Sequence, residues 1–169
     1  MLIRIAQPAD AEQLAILAER TFRDTFASSN SPEDMELHCQ SSYSKEHQLK
    51  EIQNPNWITL VCECENMLAG YAQMRWEEFP SCVEAKTPRE ILCFYVDKPW
   101  HGHGIAQEMM KACLAELKKR NTDVVWLGVW EHNPRAIAFY KKFDFVEVGE
   151  HIFQLGADAQ RDVIMMRHI

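Results

Sequence analysis

The run Ile91-Leu92-Cys93-Phe94-Tyr95-Val96, followed by Asp97-Lys98-Pro99-Trp100 and then His101-Gly102-His103-Gly104-Ile105-Ala106-Gln107, decides how this chain is read. Its first six residues are apolar, aromatic or β-branched, as a buried strand requires. From Gly104 an amphipathic pattern continues to about Arg120, which gives the order strand, glycine loop, helix. That order suits an anion. The first amides of a helix lack intrahelical acceptors and carry about half a positive charge, and glycines let a phosphate approach them closely. No Asp or Glu stands in the first turn, Gly104 to Gln107, to occupy that end from within. Taken alone, Gly102 and Gly104 equally suit a plain tight turn.

A second constellation lies downstream, Asn133-Pro134-Arg135-Ala136-Ile137-Ala138-Phe139-Tyr140-Lys141-Lys142-Phe143-Asp144-Phe145, opening a second helix after a second strand. Together the two stretches resemble the GNAT family of N-acetyltransferases. His101, Gly104 and Ala106 match its glycine-loop pattern Gln/Arg-x-x-Gly-x-Gly/Ala. Asn133, Ala136, Phe139, Tyr140 and Phe145 match its second motif. The segments Thr21 to Ala27, Leu127 to Asn133 and His151 to Gly156 are similar to the PaiA-type branch, associated with spermidine and spermine acetylation, and that likeness runs over nearly the whole chain.

Composition agrees with one such domain spanning 1–169. With 169 residues, 47% hydrophobic and 25% charged, the chain can bury a single core. A net charge of −7 argues against a nucleic-acid or anionic-membrane surface and is compatible with a cationic substrate. Met1 to Ala6 is too short and too quickly polar for a signal peptide, and no apolar run reaches the ~20 residues of a membrane span, so a soluble cytoplasmic protein is expected. A homodimer is allowed. The six cysteines show no C-x-x-C spacing and the seven histidines no H-x-x-x-H spacing, so no metal is expected.

Around the two motifs, Leu2 to Ala6 reads as a strand and Pro8 to about Phe26 as a helix with an apolar stripe. Ser31-Pro32-Glu33-Asp34 is an N-cap with proline first and acids in the opening turn. A second helical region therefore runs through the forties, interrupted near Ser41 to Ser44. Trp57 to Glu63 and Met67 to Trp76 form a hairpin, and the polar stretch Glu77 to Arg89 reads either as a functional loop or as a solvated excursion. Val124 to Trp130 is a strand apolar on both faces. Phe145 to Phe153 and Arg161 to Met166 are two more strands joined by a turn around Gly156-Ala157-Asp158. The expected fold class is α/β, or α+β by some schemes: a mixed twisted sheet of six to seven strands with helices on both faces.

The resemblance implies acetyl-CoA as co-substrate, a small-molecule primary amine as acceptor, and direct attack in a ternary complex. Pyrophosphate would sit on the amides of Gly102, His103, Gly104, Ile105, Ala106 and Gln107, and Phe94, Tyr95 and Val96 would hydrogen-bond the pantetheine arm through their backbone. Ala136 belongs to the same coenzyme surface, and Asn133 would add a coenzyme contact to its role as helix cap. Tyr140 would protonate the departing thiolate, its competing reading being a core aromatic among Phe139, Phe143 and Phe145. The acceptor enters as an ammonium with a pKa near ~10 and needs a base. Gly128 stands where many members carry a glutamate, so the base comes from elsewhere or acts through water, with Glu131, Glu77, Glu78 and Glu84 as candidates. His101 replaces Gln or Arg, which would make a phosphate contact sensitive to pH, and Asp144 replaces a glycine in a left-handed position. Glu33, Glu36, Glu77, Glu78 and Glu84 are the acids expected to hold a polyamine's remaining charges. Two alternatives stay open: an acceptor amine on a peptide or protein, and a coenzyme-binding regulatory protein without turnover.

Overall fold

β-branched and aromatic runs that are apolar on both faces need cover on both sides, and the chain supplies it with helices on each face of one sheet. The computed structural model describes residues 1–155 and 158–169; the turn expected at Gly156 and Ala157 lies outside them. The strands are β1 (Leu2–Ile5), β2 (Trp57–Cys64), β3 (Met67–Arg75), β4 (Arg89–Val96), β5 (Val124–Trp130), β6 (Val146–Leu155) and β7 (Asp158–His168). They form a seven-stranded sheet in the order β1-β2-β3-β4-β5-β7-β6, antiparallel throughout except for the parallel pair β4 and β5. No helix among the described residues is long and apolar enough to cross a membrane.

The helices are α1 (Ala11–Phe26), α2 (Pro32–Ser42), α3 (Lys45–Gln53), α4 (Ile105–Lys118) and α5 (Pro134–Lys141). Local chemistry sets their ends. The Ser31 and Ser44 side chains accept from the amides of Asp34 and His47, so the second helical region is two helices with a break at Tyr43. On α4, Ile105, Met109, Met110, Cys113 and Leu117 recur at helical spacing and are all buried. Each fully buried Ile, Met or Leu there contributes about 1.5–3 kcal/mol, which fixes α4 against β2, β3 and β5. On the opposite face, Leu14, Leu17 and Ala18 of α1 pack with Val61 and Tyr71.

The stretch 76–88 is neither helix nor strand, yet it is not a solvated excursion. Val83 is buried with Val124, Trp126 and Ile164, and Cys82 packs beside them, so the segment covers the α1 face of β5 and β7 where no helix reaches. Gly149 of β6 accepts this close approach: a Cβ there would come within 2.6 Å of Cys82 Sγ. Asp144 has φ 62° after α5, the left-handed conformation its position requires.

Candidate active site

Strands β4 and β5 pair only at Arg89 with Val125 and Glu90 with Trp126, and then part. Just past the separation β4 carries a bulge: Ile91 pairs with Met74 and Cys93 with Gln73, leaving Leu92 as the extra residue. From there to Val96 one edge of β4 has no strand beside it, so its amides and carbonyls face a cleft of about 850 Å³. Unpaired strand edges bind extended ligands. The cleft is walled by β4 and by Gly128 to Trp130 of β5, by α1 and α3 on one side, and by α5 on the other.

One half of the cleft runs to the glycine loop. Gly102 and Gly104 have φ of 83° and 79°, and a Cβ at either would meet nothing within 4 Å. Glycine is therefore needed for the backbone conformation rather than for room. Gly104 is the N-cap of α4 and no side chain caps it; the first bond into the helix is Glu108 N–H to the Gly104 carbonyl. Among the described residues, no side chain and no carbonyl outside the helix accepts from the amides of Gly102 to Gln107. A pyrophosphate fits that end, and a β-strand-like pantetheine arm fits the open edge of β4.

His101 bridges these two features. Arg135 Nη1 donates to its Nδ1 at 3.2 Å, so Nε2 carries the hydrogen and donates to the Val96 carbonyl at 2.8 Å. The ring thus ties the end of β4 to α5 and brings the Arg135 guanidinium, to which the sequence assigned no role, to the mouth of the loop. His101 and Ala106 line the cleft; Gly102, His103, Gly104, Ile105 and Gln107 do not line it. Asn133 caps α5, its Oδ1 accepting from Ala136 N–H at 3.1 Å, and both residues line the cleft.

Tyr140 sits on the inner face of α5, 8% exposed, in edge contact with Phe94, Phe139 and Phe145 at centroid distances of 6.3, 5.6 and 5.9 Å. It is packed as a core aromatic and also lines the cleft. No protein group pairs with its hydroxyl among the described residues. Burial pushes its pKa well up, so the phenol is held protonated.

The other half of the cleft is aromatic and acidic. Phe22 stacks on His38 at 4.5 Å and tilts against Tyr43 at 5.5 Å, Phe26 meets Trp130 at 5.5 Å, and Phe153 meets His38 at 6.2 Å. Asp24, Glu51, Glu90 and Asp162 line the same cleft. Glu51 accepts from Gln73 at 2.7 Å and pairs with His47 at 2.9 Å. Glu90 accepts from Arg75 at 2.5 Å, and burial ahead of that contact raises its pKa. Asp162 lies 3.5 Å from His151.

The five acids expected to recognise the acceptor lie elsewhere. Glu33 is exposed in the first turn of α2, Glu36 pairs with Arg23 at 2.8 Å, Glu77 pairs with Arg75 at 3.2 Å, and Glu78 and Glu84 are exposed on the 76–88 segment. None of them lines the cleft. Glu131, the expected base, points to Arg161 at 2.7 Å and is outside the lining as well. Glu33 and Glu36 stand on α2, Glu77, Glu78 and Glu84 on the 76–88 segment and Glu131 on the turn after β5, whereas the cleft acids project from α1, α3, β4 and β7. A signal for two of them was present. Gln73 and Arg75 are polar at alternate positions of an otherwise apolar strand, a mark of buried polar partners facing them.

Residues 17–145 match the family described as Acetyltransferase (GNAT) family. An uncharacterized N-acetyltransferase of Lactobacillus delbrueckii subsp. lactis is 27% identical over 158 residues, 94% of this chain and 91% of that protein. A probable spermine N(1)-acetyltransferase of Bacillus subtilis subsp. natto is 38% identical over 60 residues, 34% of this chain and 38% of its own length. The crystal structure of the PaiA N-acetyltransferase of Thermoplasma acidophilum in complex with coenzyme A superimposes with a TM-score of 0.76 at 22% identity, covering 100% of both chains.

Proposed function

The chain belongs to the GNAT family and is an N-acetyltransferase of that type using coenzyme A; from that premise we propose that its acceptor is a primary amine of a small polycation, a polyamine. The observation that carries this reading is that Glu51, Glu90, Asp162 and Asp24 line the same cleft as Phe22, Phe26, Tyr43, Trp130 and Phe153. A polyamine presents several ammonium groups: one loses its proton and reacts, and the others need carboxylates several ångströms away. Aromatic faces attract the same cations. The partial likeness to a spermine acetyltransferase points the same way.

Acetyl-CoA supplies an activated acetyl thioester when bound. The amides of Gly102 to Gln107, with Arg135 beside them, hold its pyrophosphate against the positive end of α4. The open edge of β4 from Leu92 to Val96 pairs with the pantetheine arm as an added strand and aims the acyl group toward the acceptor half. One β4 amide polarises the thioester carbonyl, a donor worth roughly 3–4 kcal/mol to a developing oxyanion in a water-poor site. Tyr140, held protonated by burial and without a hydrogen-bond partner among the described residues, gives its proton to the departing thiolate and regains one from the nitrogen as the amide forms.

The test compares spermidine with a monoamine of similar length, scored by thiol release at low and high salt. A preference for spermidine that shrinks as salt rises supports a carboxylate-lined acceptor site. Equal rates for both amines at every salt concentration remove the polyamine reading and favour an amino group on a peptide or protein. No thiol release with any amine would mean a coenzyme-binding protein without turnover.

A further inference from the structure

We propose that His151 is the general base of the reaction and that Asp162 positions it. The acyl-transfer reading above is its premise.

Gly128 is the position on β5 without a side chain. This residue lies on the face of β5 that fronts the acceptor half of the cleft, between Trp126, covered by the 76–88 segment, and Trp130, covered by α1. A Cβ at Gly128 would come 3.0 Å from His151 Cε1, 3.3 Å from His151 Nε2 and 3.4 Å from Asp162 Oδ2. The space a side chain on β5 would fill is therefore filled from the neighbouring strands. Register produces the arrangement: Gly128 pairs with Ile164, Trp130 with Asp162, and Asp162 in turn with His151, so the three positions fall side by side on one face. All three line the cleft.

Three carboxylates that could serve instead are already paired. Glu90 holds Arg75, Glu51 holds Gln73 and His47, and Glu131 holds Arg161 outside the cleft. Proton transfer from an ammonium of pKa near ~10.4 is unfavourable by about ten thousandfold to an ordinary imidazole and by about a millionfold to an ordinary carboxylate. The imidazole is the better match near neutral pH. With Nε2 directed at Asp162, Nδ1 is the nitrogen left to accept.

Charges around the ring set its titration. Asp162 of β7 makes the direct contact, Glu90 of β4 adds a negative charge with Arg75 behind it, β5 offers only Gly128, and His38 of α2, packed on Phe153, is kept neutral by burial. The net effect raises His151, first through the Asp162 contact and against the opposing pull of burial. In the step itself the ammonium N–H bond breaks, the proton passes to His151 Nδ1, and the nitrogen lone pair attacks the thioester carbonyl. The imidazolium, stabilised by Asp162, returns that proton to solvent after product leaves.

The experiment measures kcat/KM for spermidine from pH 6 to pH 10 by thiol release, for the native protein and for His151→Gln, Asp162→Asn and Glu90→Gln, with melting temperature and acetyl-CoA affinity measured alongside. His151→Gln is expected to lose about a hundredfold in kcat/KM and the native ascending limb, while melting temperature and coenzyme affinity hold. Asp162→Asn is expected to move the limb to lower pH, which a purely structural role would not do. The inference is overturned if His151→Gln stays within threefold of native with the same profile, or if the limb disappears in Glu90→Gln and persists in His151→Gln. A native protein that releases no thiol with any amine would instead defeat the acyl-transfer premise, and the two failures are distinct.

Discussion

Replacing Tyr140 by Phe keeps the ring and removes one oxygen. The ring is what packs: its contacts with Phe94, Phe139 and Phe145 survive, and among the described residues the lost hydroxyl has no partner to leave unsatisfied. Stability should therefore change by less than about 0.5 kcal/mol, as for substitutions that break no named interaction. Turnover is another matter. If the phenol protonates the thiolate, its loss falls in the usual range for general acid catalysis, about a hundredfold or ~2.7 kcal/mol in the barrier. Burial keeps the group protonated throughout the working pH range, so the native rate should show no loss of this acid below about pH 10. The assay is thiol release at saturating spermidine, with acetyl-CoA affinity by calorimetry and melting temperature in parallel. A variant within threefold of native turnover would refute the assignment and return Tyr140 to the core; a matching loss of coenzyme affinity would mean it binds rather than reacts.

Gly104→Val should weaken acetyl-CoA binding more than tenfold by calorimetry, because a β-branched residue at φ 79° costs about 1–2 kcal/mol or more and shifts the amides of the loop. Glu51→Gln should raise KM for spermidine about tenfold with kcat and coenzyme affinity nearly constant, read from initial rates at low salt; an unchanged KM removes Glu51 from acceptor recognition. His38, depressed by burial, must stay neutral in the fold, so the stability it contributes is present above its unfolded pKa near ~6.5 and lost as pH falls through its lower folded value. Melting temperature should therefore drop more between pH 7.5 and 5.5 in the native protein than in His38→Phe, which keeps the stack on Phe22.

The order of strands and helices was largely legible because most carry their own local signal: the period-2 or continuous apolar runs of β2 to β5, the serine cap of α2, and the paired glycines before α4. The coenzyme half of the cleft was legible for the same reason, since a glycine loop and an Asn-Pro helix start are contiguous in sequence. The acceptor half was not. Glu51, Glu90, His151 and Asp162 come from four elements up to 111 positions apart, counted from 51 to 162, and only the pairing of β5, β7 and β6 brings the last two beside Gly128. The separation of β4 from β5 is equally silent in sequence, because it is a property of two strands and of what lies between them.

The identity of the product tests the polyamine acceptor most directly. Native protein incubated with acetyl-CoA and spermidine should yield monoacetylated spermidine by mass spectrometry, one molecule for each thiol released, with the yield per thiol unchanged when a peptide amine is offered in competition. Thiol release without acetylated spermidine, or acetyl found only on the peptide, would contradict it.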